Sequence, residues 1–147
     1  ALAGGQAVSN ICPVGTDVRS VSGLGSAAVM AQVDGQWRVF QRVSFNGAAL
    51  LGSESLGDTL GIRGHAVRLS LGSLGTVTDR SAVSSLVDTL LSQASFESSG
   101  QLAGGDVLLI ALDNGLTLQM MTASDRVSAC GIWTCPDFFD AFEAAAQ

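Results

Sequence analysis

Val83, Leu86, Val87, Leu90, Leu91 and Ala94 recur at i, i+3, i+4, i+7, i+8 and i+11, a spacing that places all six on one apolar stripe of a helix. Asp79, just before the run, has the side-chain oxygen that caps a helix start, and Ser98-Ser99-Gly100 closes the segment. The neighbouring residues follow a different period. Residues 65–71 alternate, with Val67, Leu69 and Leu71 on one side and Ala66, Arg68 and Ser70 on the other, as in a half-buried strand. One strong helical stripe among period-two segments excludes both a helix bundle and an all-β fold. The stripe must be buried on a sheet, which makes the chain α+β.

Two tight turns organise the strands. Asp34-Gly35 lies within residues 26–45 and marks a hairpin, because glycine supplies the positive φ of a type I′ turn. Pairing across it groups Ala28, Met30, Trp37, Val39, Val43 and Phe45 on one face. The opposite face holds Gln36, Arg38 and Arg42 with Val29 and Phe40. Asn114-Gly115 turns a second hairpin whose strands span 107–112 and 116–122, with a short strand at 76–78 expected before the helix. The run 107–112 is apolar on both faces and is expected to lie centrally in its sheet. Residues 46–64, rich in Gly and Leu at uneven spacing, read as a long ordered loop. Cys135-Pro136-Asp137 suits a helix start, with Phe138, Phe139 and Phe142 as its packing face.

The expectation is a single domain over residues 1–147, with residues 1–10 a loose arm. A mainly antiparallel sheet carries one long and one C-terminal helix packed on it. The order helix, hairpin, closing helix over residues 81–146 resembles the second half of a roadblock or profilin-type domain. That likeness lies in element order without a shared motif, and it implies a protein-binding or dimerisation module.

Charge narrows the function. Only 14% of residues are charged while 47% are apolar, and the net charge is −6, so there is ample apolar surface to drive folding. All seven basic residues are arginine. A chain that grips phosphates needs a cationic footprint, so nucleic acid is not an expected partner. The absence of lysine removes phosphate-loop and Schiff-base lysine chemistry. The longest apolar stretch, 107–112, is far short of the roughly 20 residues that span a bilayer, and no transmembrane segment is expected.

Three cysteines carry the remaining chemistry: Cys12, Cys130 and Cys135. As a redox pair, Cys135 at a helix N-terminus would be the attacking thiolate and Cys130 would resolve it, but the spacing is CxxxxC and no lysine is at hand. As metal ligands, the three would need His65, and two of the four would then be isolated in sequence. A structural disulfide is the favoured reading, with one of the C-terminal pair bonded to Cys12, or the two bonded to each other; simple buried thiols come next, ahead of the redox and metal readings. A bond to Cys12 would close nearly the whole chain and remove on the order of 4–5 kcal/mol of unfolded-state entropy.

The other motifs carry less. His65 is the only histidine and reads as a surface or strand-edge residue. Gly23-Leu24-Gly25-Ser26-Ala27-Ala28 matches the dinucleotide pattern GxGxxA, yet a strand pattern follows where a helix is needed. Neither an acid/base pair nor a calcium loop can be named, and no cofactor or metal is implied. Arg38, Arg42, Arg63 and Arg68, with Phe40, are the candidate interface residues, since arginine pairs in bidentate fashion at protein contacts.

The functional expectation is a non-enzymatic structural or assembly subunit of a larger extracellular or surface complex, such as an appendage, lattice or virion. Its partners would be proteins, copies of itself or other subunits. The alternative is a protein-binding or dimerisation module, with a thiol-dependent enzyme at Cys135 a third reading. Ala1-Leu2-Ala3 has the small-x-small form of a signal cleavage region. An extracellular, periplasmic or surface location is therefore expected, although removal of an initiator Met would explain the same start.

Overall fold

A computed structural model describes residues 12–13, 15–25, 28–41 and 55–147. The chain is α+β, as expected. Among the described residues ten strands form two antiparallel sheets, and three helices accompany them. The smaller sheet has the order β1-β2-β3, from Val18–Ser20, Ala28–Val33 and Gln36–Gln41. The larger has seven strands in the order β5-β4-β7-β8-β9-β10-β6. Its members are β4 (Ala66–Leu71), β5 (Gly75–Val77), β6 (Ser95–Ser98), β7 (Asp106–Leu112), β8 (Thr117–Ala123), β9 (Arg126–Ser128) and β10 (Ile132–Thr134).

The long helix α2 runs Arg80–Gln93, and the Asp79 carboxylate accepts the Ala82 N–H at 2.9 Å. Its buried residues Val83, Leu86, Val87, Leu90 and Leu91 are those of the sequence stripe. They meet Leu69, Leu71, Leu108, Ile110, Leu118 and Met120 on the inner face of the large sheet. Each side chain so buried contributes about 1.5–3 kcal/mol as an upper figure. The C-terminal helix α3, Pro136–Ala146, starts with proline at its first turn and buries Phe138 and Phe142 in the same core.

The structure corrects several local expectations. Part of the Gly/Leu segment is a short helix, α1 (Leu56–Leu60), capped by Ser55 and ended by Gly61 in the left-handed conformation. Leu56 and Leu60 are fully buried, so this segment packs down through helical spacing. Residues 46–54 lie outside the described residues. Alternation in β4 breaks at a register shift between Ala66 and Arg68. Val67 is the extra residue of this bulge, and Ala66 packs on the core in its place. The long helix ends at Gln93, and Ser95–Ser98 becomes edge strand β6. Phe96 draws it in by packing edge-on against Trp133, with ring centroids 5.2 Å apart.

Likewise β9 and β10 stand between the second hairpin and α3, where no strand was expected. The element order over 81–146 is therefore fuller than helix, hairpin, helix. Strand β7 does have neighbours on both sides, but its outer face is only partly covered, with Leu109 38% exposed.

Candidate interaction surface

The first hairpin turns at Asp34-Gly35, both at positive φ (51° and 77°). Its register pairs Met30 with Val39 and Gln32 with Trp37, while Arg19 of β1 pairs with Met30. One face of the small sheet thus carries Arg19, Met30, Trp37 and Val39. The grouping of the described residues agrees with the sequence reading, Val43 and Phe45 lying outside them, and this apolar face is open to water. Trp37 is 44% exposed and Val39 45%. Across the sheet, Val18 and Val29 are also exposed, while Ala31 and Val33 are buried. The Arg19 guanidinium lies 4.6 Å from the Trp37 ring centre, a cation–π contact. Arg19 was not singled out from the sequence. A residue two strands away from Trp37 leaves no local signal.

The small sheet is tied to one end of the large one. The Gly25 N–H donates to the Leu60 carbonyl at 2.8 Å, and the Asn114 amide donates to the Ser22 carbonyl at 3.2 Å. Gln41 uses its side-chain amide as a strand would use its backbone. Its Nε2 donates to the Gln119 carbonyl at 3.0 Å and its Oε1 accepts the Gln119 N–H at 3.4 Å. Glycine is required at this junction, since a Cβ on Gly25 would lie 2.5 Å from the Asp58 carbonyl oxygen. The GxGxxA match is thus a packing joint, with strand β2 following it.

The candidate arginines among the described residues sit on three different elements. Arg38 sits on the small sheet and Arg68 on β4 of the large one. Arg63, in the turn before β4, is engaged by Asp88 of α2. Arg42 lies outside the described residues. Phe40 is half-buried on the face of the small sheet that also carries Arg38.

His65 Nδ1 lies 3.1 Å and 3.3 Å from the Asp113 carboxylate oxygens. Both side chains are 45% exposed, so the pair is worth about 0–1 kcal/mol to the fold. Among the described residues no hydroxyl or thiol hydrogen-bonds the imidazole, and a Ser-His-Asp relay is not assembled. No group of three metal-ligating side chains occurs among the described residues, and no helix there is long and apolar enough to cross a membrane.

Cys130 and Cys135 are buried at opposite ends of β10, and Cys12 is half-buried. No disulfide joins the three in the structure. Cys130 stands in the turn before β10, at a positive φ of 54°, and Cys135 follows the strand.

Cys135 caps α3 and its thiol points toward the Thr89 carbonyl of α2 at 3.9 Å. Burial pushes the Cys135 thiol above its ordinary value of 9.0; the Phe138 N–H pulls it back and the Asp137 charge adds to the rise. This is the reverse of an activated nucleophile. The unfolded chain gives up this proton near 9.0 and the folded one only at higher pH. Stability is therefore unaffected below about pH 9 and falls as pH rises through the folded value. Urea midpoints measured from pH 8 to 10.5 should decline less steeply in Cys135→Ala than in the wild type. Equal slopes would show that the thiol is not so held. Iodoacetamide at pH 8 should modify Cys135 only after denaturation, and rapid native labelling would refute its burial.

At the far end of the large sheet, Leu71, Leu74, Gly105, Asp106, Thr122, Ala123, Ser124 and Phe139 line a cavity of about 400 Å³. No family model, curated protein or solved structure matches this chain.

Proposed function

We propose that this domain is a non-enzymatic assembly subunit of a larger extracellular or surface complex, in which the small sheet meets other protein. One observation carries the reading. On one face of the small sheet Trp37 and Val39, 44% and 45% exposed, stand together with Met30 and Arg19, and Val18 and Val29 are exposed on its other face. Such clustering marks a binding surface, whereas scattered single residues need no explanation. Tryptophan beside arginine is also the pairing that dominates contact energies at protein interfaces. The low charge of the chain, 14% of residues, suits surfaces that spend their working life covered.

Light scattering and negative-stain imaging over a concentration series test this. An assembly subunit gives species well above the 14.9 kDa monomer that grow with concentration. A chain that stays monomeric at millimolar concentration refutes the proposal, and a discrete dimer that grows no further assigns the same surface to a dimerisation module.

A further inference from the structure

We infer that the complex is built by a head-to-tail contact between copies of this chain, in which Trp37 of one copy enters the cavity between Leu74 and Phe139 of the next. The inference rests on the assembly reading and adds to it the partner and the geometry.

Position supports it first. The small sheet is anchored at the end of the large sheet that carries His65, Asp113 and Asn114. The cavity opens at the other end, where Leu71 finishes β4, Asp106 begins β7 and Thr122 nears the end of β8. Strand β7, seven residues long, sets these ends roughly 20 Å apart. Such a contact joins unlike surfaces, so it repeats head to tail and yields an open row wherever the rotation between copies does not close it into a ring.

Chemistry supports it next. A cavity of about 400 Å³ is within the range that holds a small, mostly apolar group, and Leu74 at its mouth is 41% exposed. An indole with Val39 beside it supplies the apolar group. Charge agrees locally: Arg19 brings a cation beside Trp37, while residues 55–147, with ten acids and four arginines, carry a net charge of −6. Asp106 lines the cavity, and Asp137, Asp140 and Glu143 are exposed on α3, the helix that also supplies Phe139. Arg19, stacked on Trp37, enters that acidic rim with its indole.

Complementary defects test the contact. Trp37→Ala removes the insert and leaves the cavity intact, while Leu74→Arg blocks the cavity and leaves the insert. Both positions are exposed, so far-UV circular dichroism should match the wild type. Sedimentation velocity should show each variant alone self-associating on the order of 30-fold more weakly than wild type. Mixed in equal amounts, the two should form a one-to-one dimer and nothing larger. Leu109→Ser, on the outer face of the large sheet, should assemble as wild type does.

Wild-type protein that assembles while Trp37→Ala assembles equally well overturns the head-to-tail contact and leaves the assembly reading standing. So does a mixture that yields no dimer. A wild-type chain that remains monomeric throughout overturns both.

Discussion

Trp133→Ala is expected to destabilise the fold by about 3–5 kcal/mol, among the largest effects of any single substitution in this chain. Trp133 is the largest fully buried side chain, 1% exposed, on the three-residue strand β10 between β9 and β6. Its ring supports Phe96 of the edge strand, and its indole N–H donates to the Ala129 carbonyl at 2.8 Å. Alanine leaves a cavity, removes the packing surface that holds β6 and strands a buried carbonyl. Against a usual total stability of about 5–15 kcal/mol, such a variant sits close to unfolding. Trp133→Phe keeps most of the ring and removes the donor, so it should cost about 1–3 kcal/mol, the penalty for an unsatisfied buried acceptor. Urea unfolding reads both. The midpoint should fall in the order wild type, Phe, Ala, and a loss below 1 kcal/mol for Ala would show that β10 is not held through this residue.

The second large effect comes from two adjacent glycines that sequence alone cannot tell apart. Gly104 and Gly105 both have positive φ, 87° and 113°. A Cβ on Gly104 would meet nothing within 4 Å, whereas one on Gly105 would lie 1.9 Å from the Thr122 carbonyl oxygen. That carbonyl cannot step aside, because Thr122 pairs with Asp106 in the β7–β8 ladder and its hydroxyl donates to the Asp106 carbonyl at 3.2 Å. Gly104→Ala should cost only the backbone term of about 1–2 kcal/mol. Gly105→Ala should cost about 4 kcal/mol or more, or fail to fold. For a domain of this size each kcal/mol lowers Tm by about 2–4 °C, so the two variants should separate clearly in a thermal scan. Melting temperatures within about 2 °C of each other would contradict the close approach.

These cases show where the sequence was legible. The stripe of α2 and the cap at Asp79 are local patterns, and they survive into the fold up to Leu91, with Ala94 just past the helix end. Asp34-Gly35 and Asn114-Gly115 announce their hairpins because a tight turn needs residues that accept positive φ. Strands β9 and β10 have three residues each, too few to show a period, and β6 reads as the fraying end of a helix until Phe96 finds Trp133. The bulge in β4 follows from its pairing with β7, a partner some 40 residues away.

The candidate site divides along the same line. Alternation told which residues of the hairpin share a face, since that depends only on the two-residue repeat of an extended chain. It could not tell which of these side chains stay in water. That was settled by how Gly25, Asn114 and Gln41 seat the small sheet against the large one, leaving Trp37 and Val39 in water. The arginines grouped from the sequence were dispersed for the same reason, and Arg19 reached Trp37 only through sheet pairing.

CGIWTCPDFF, residues 130–139, is the plainest example. Its proline and phenylalanines set the start and packing face of α3 through local conformational preference. The strand between its cysteines, the buried tryptophan and the raised thiol of Cys135 arise from contacts with β6, β9 and α2. Sequence alone determined the fold class, the two tight turns and the helix starts at Asp79 and Pro136, because each depends on the conformational preferences of a few adjacent residues. Tertiary structure alone decided which apolar side chains stayed exposed and which glycine cannot be replaced. Both depend on atoms far apart in the chain that only packing brings together.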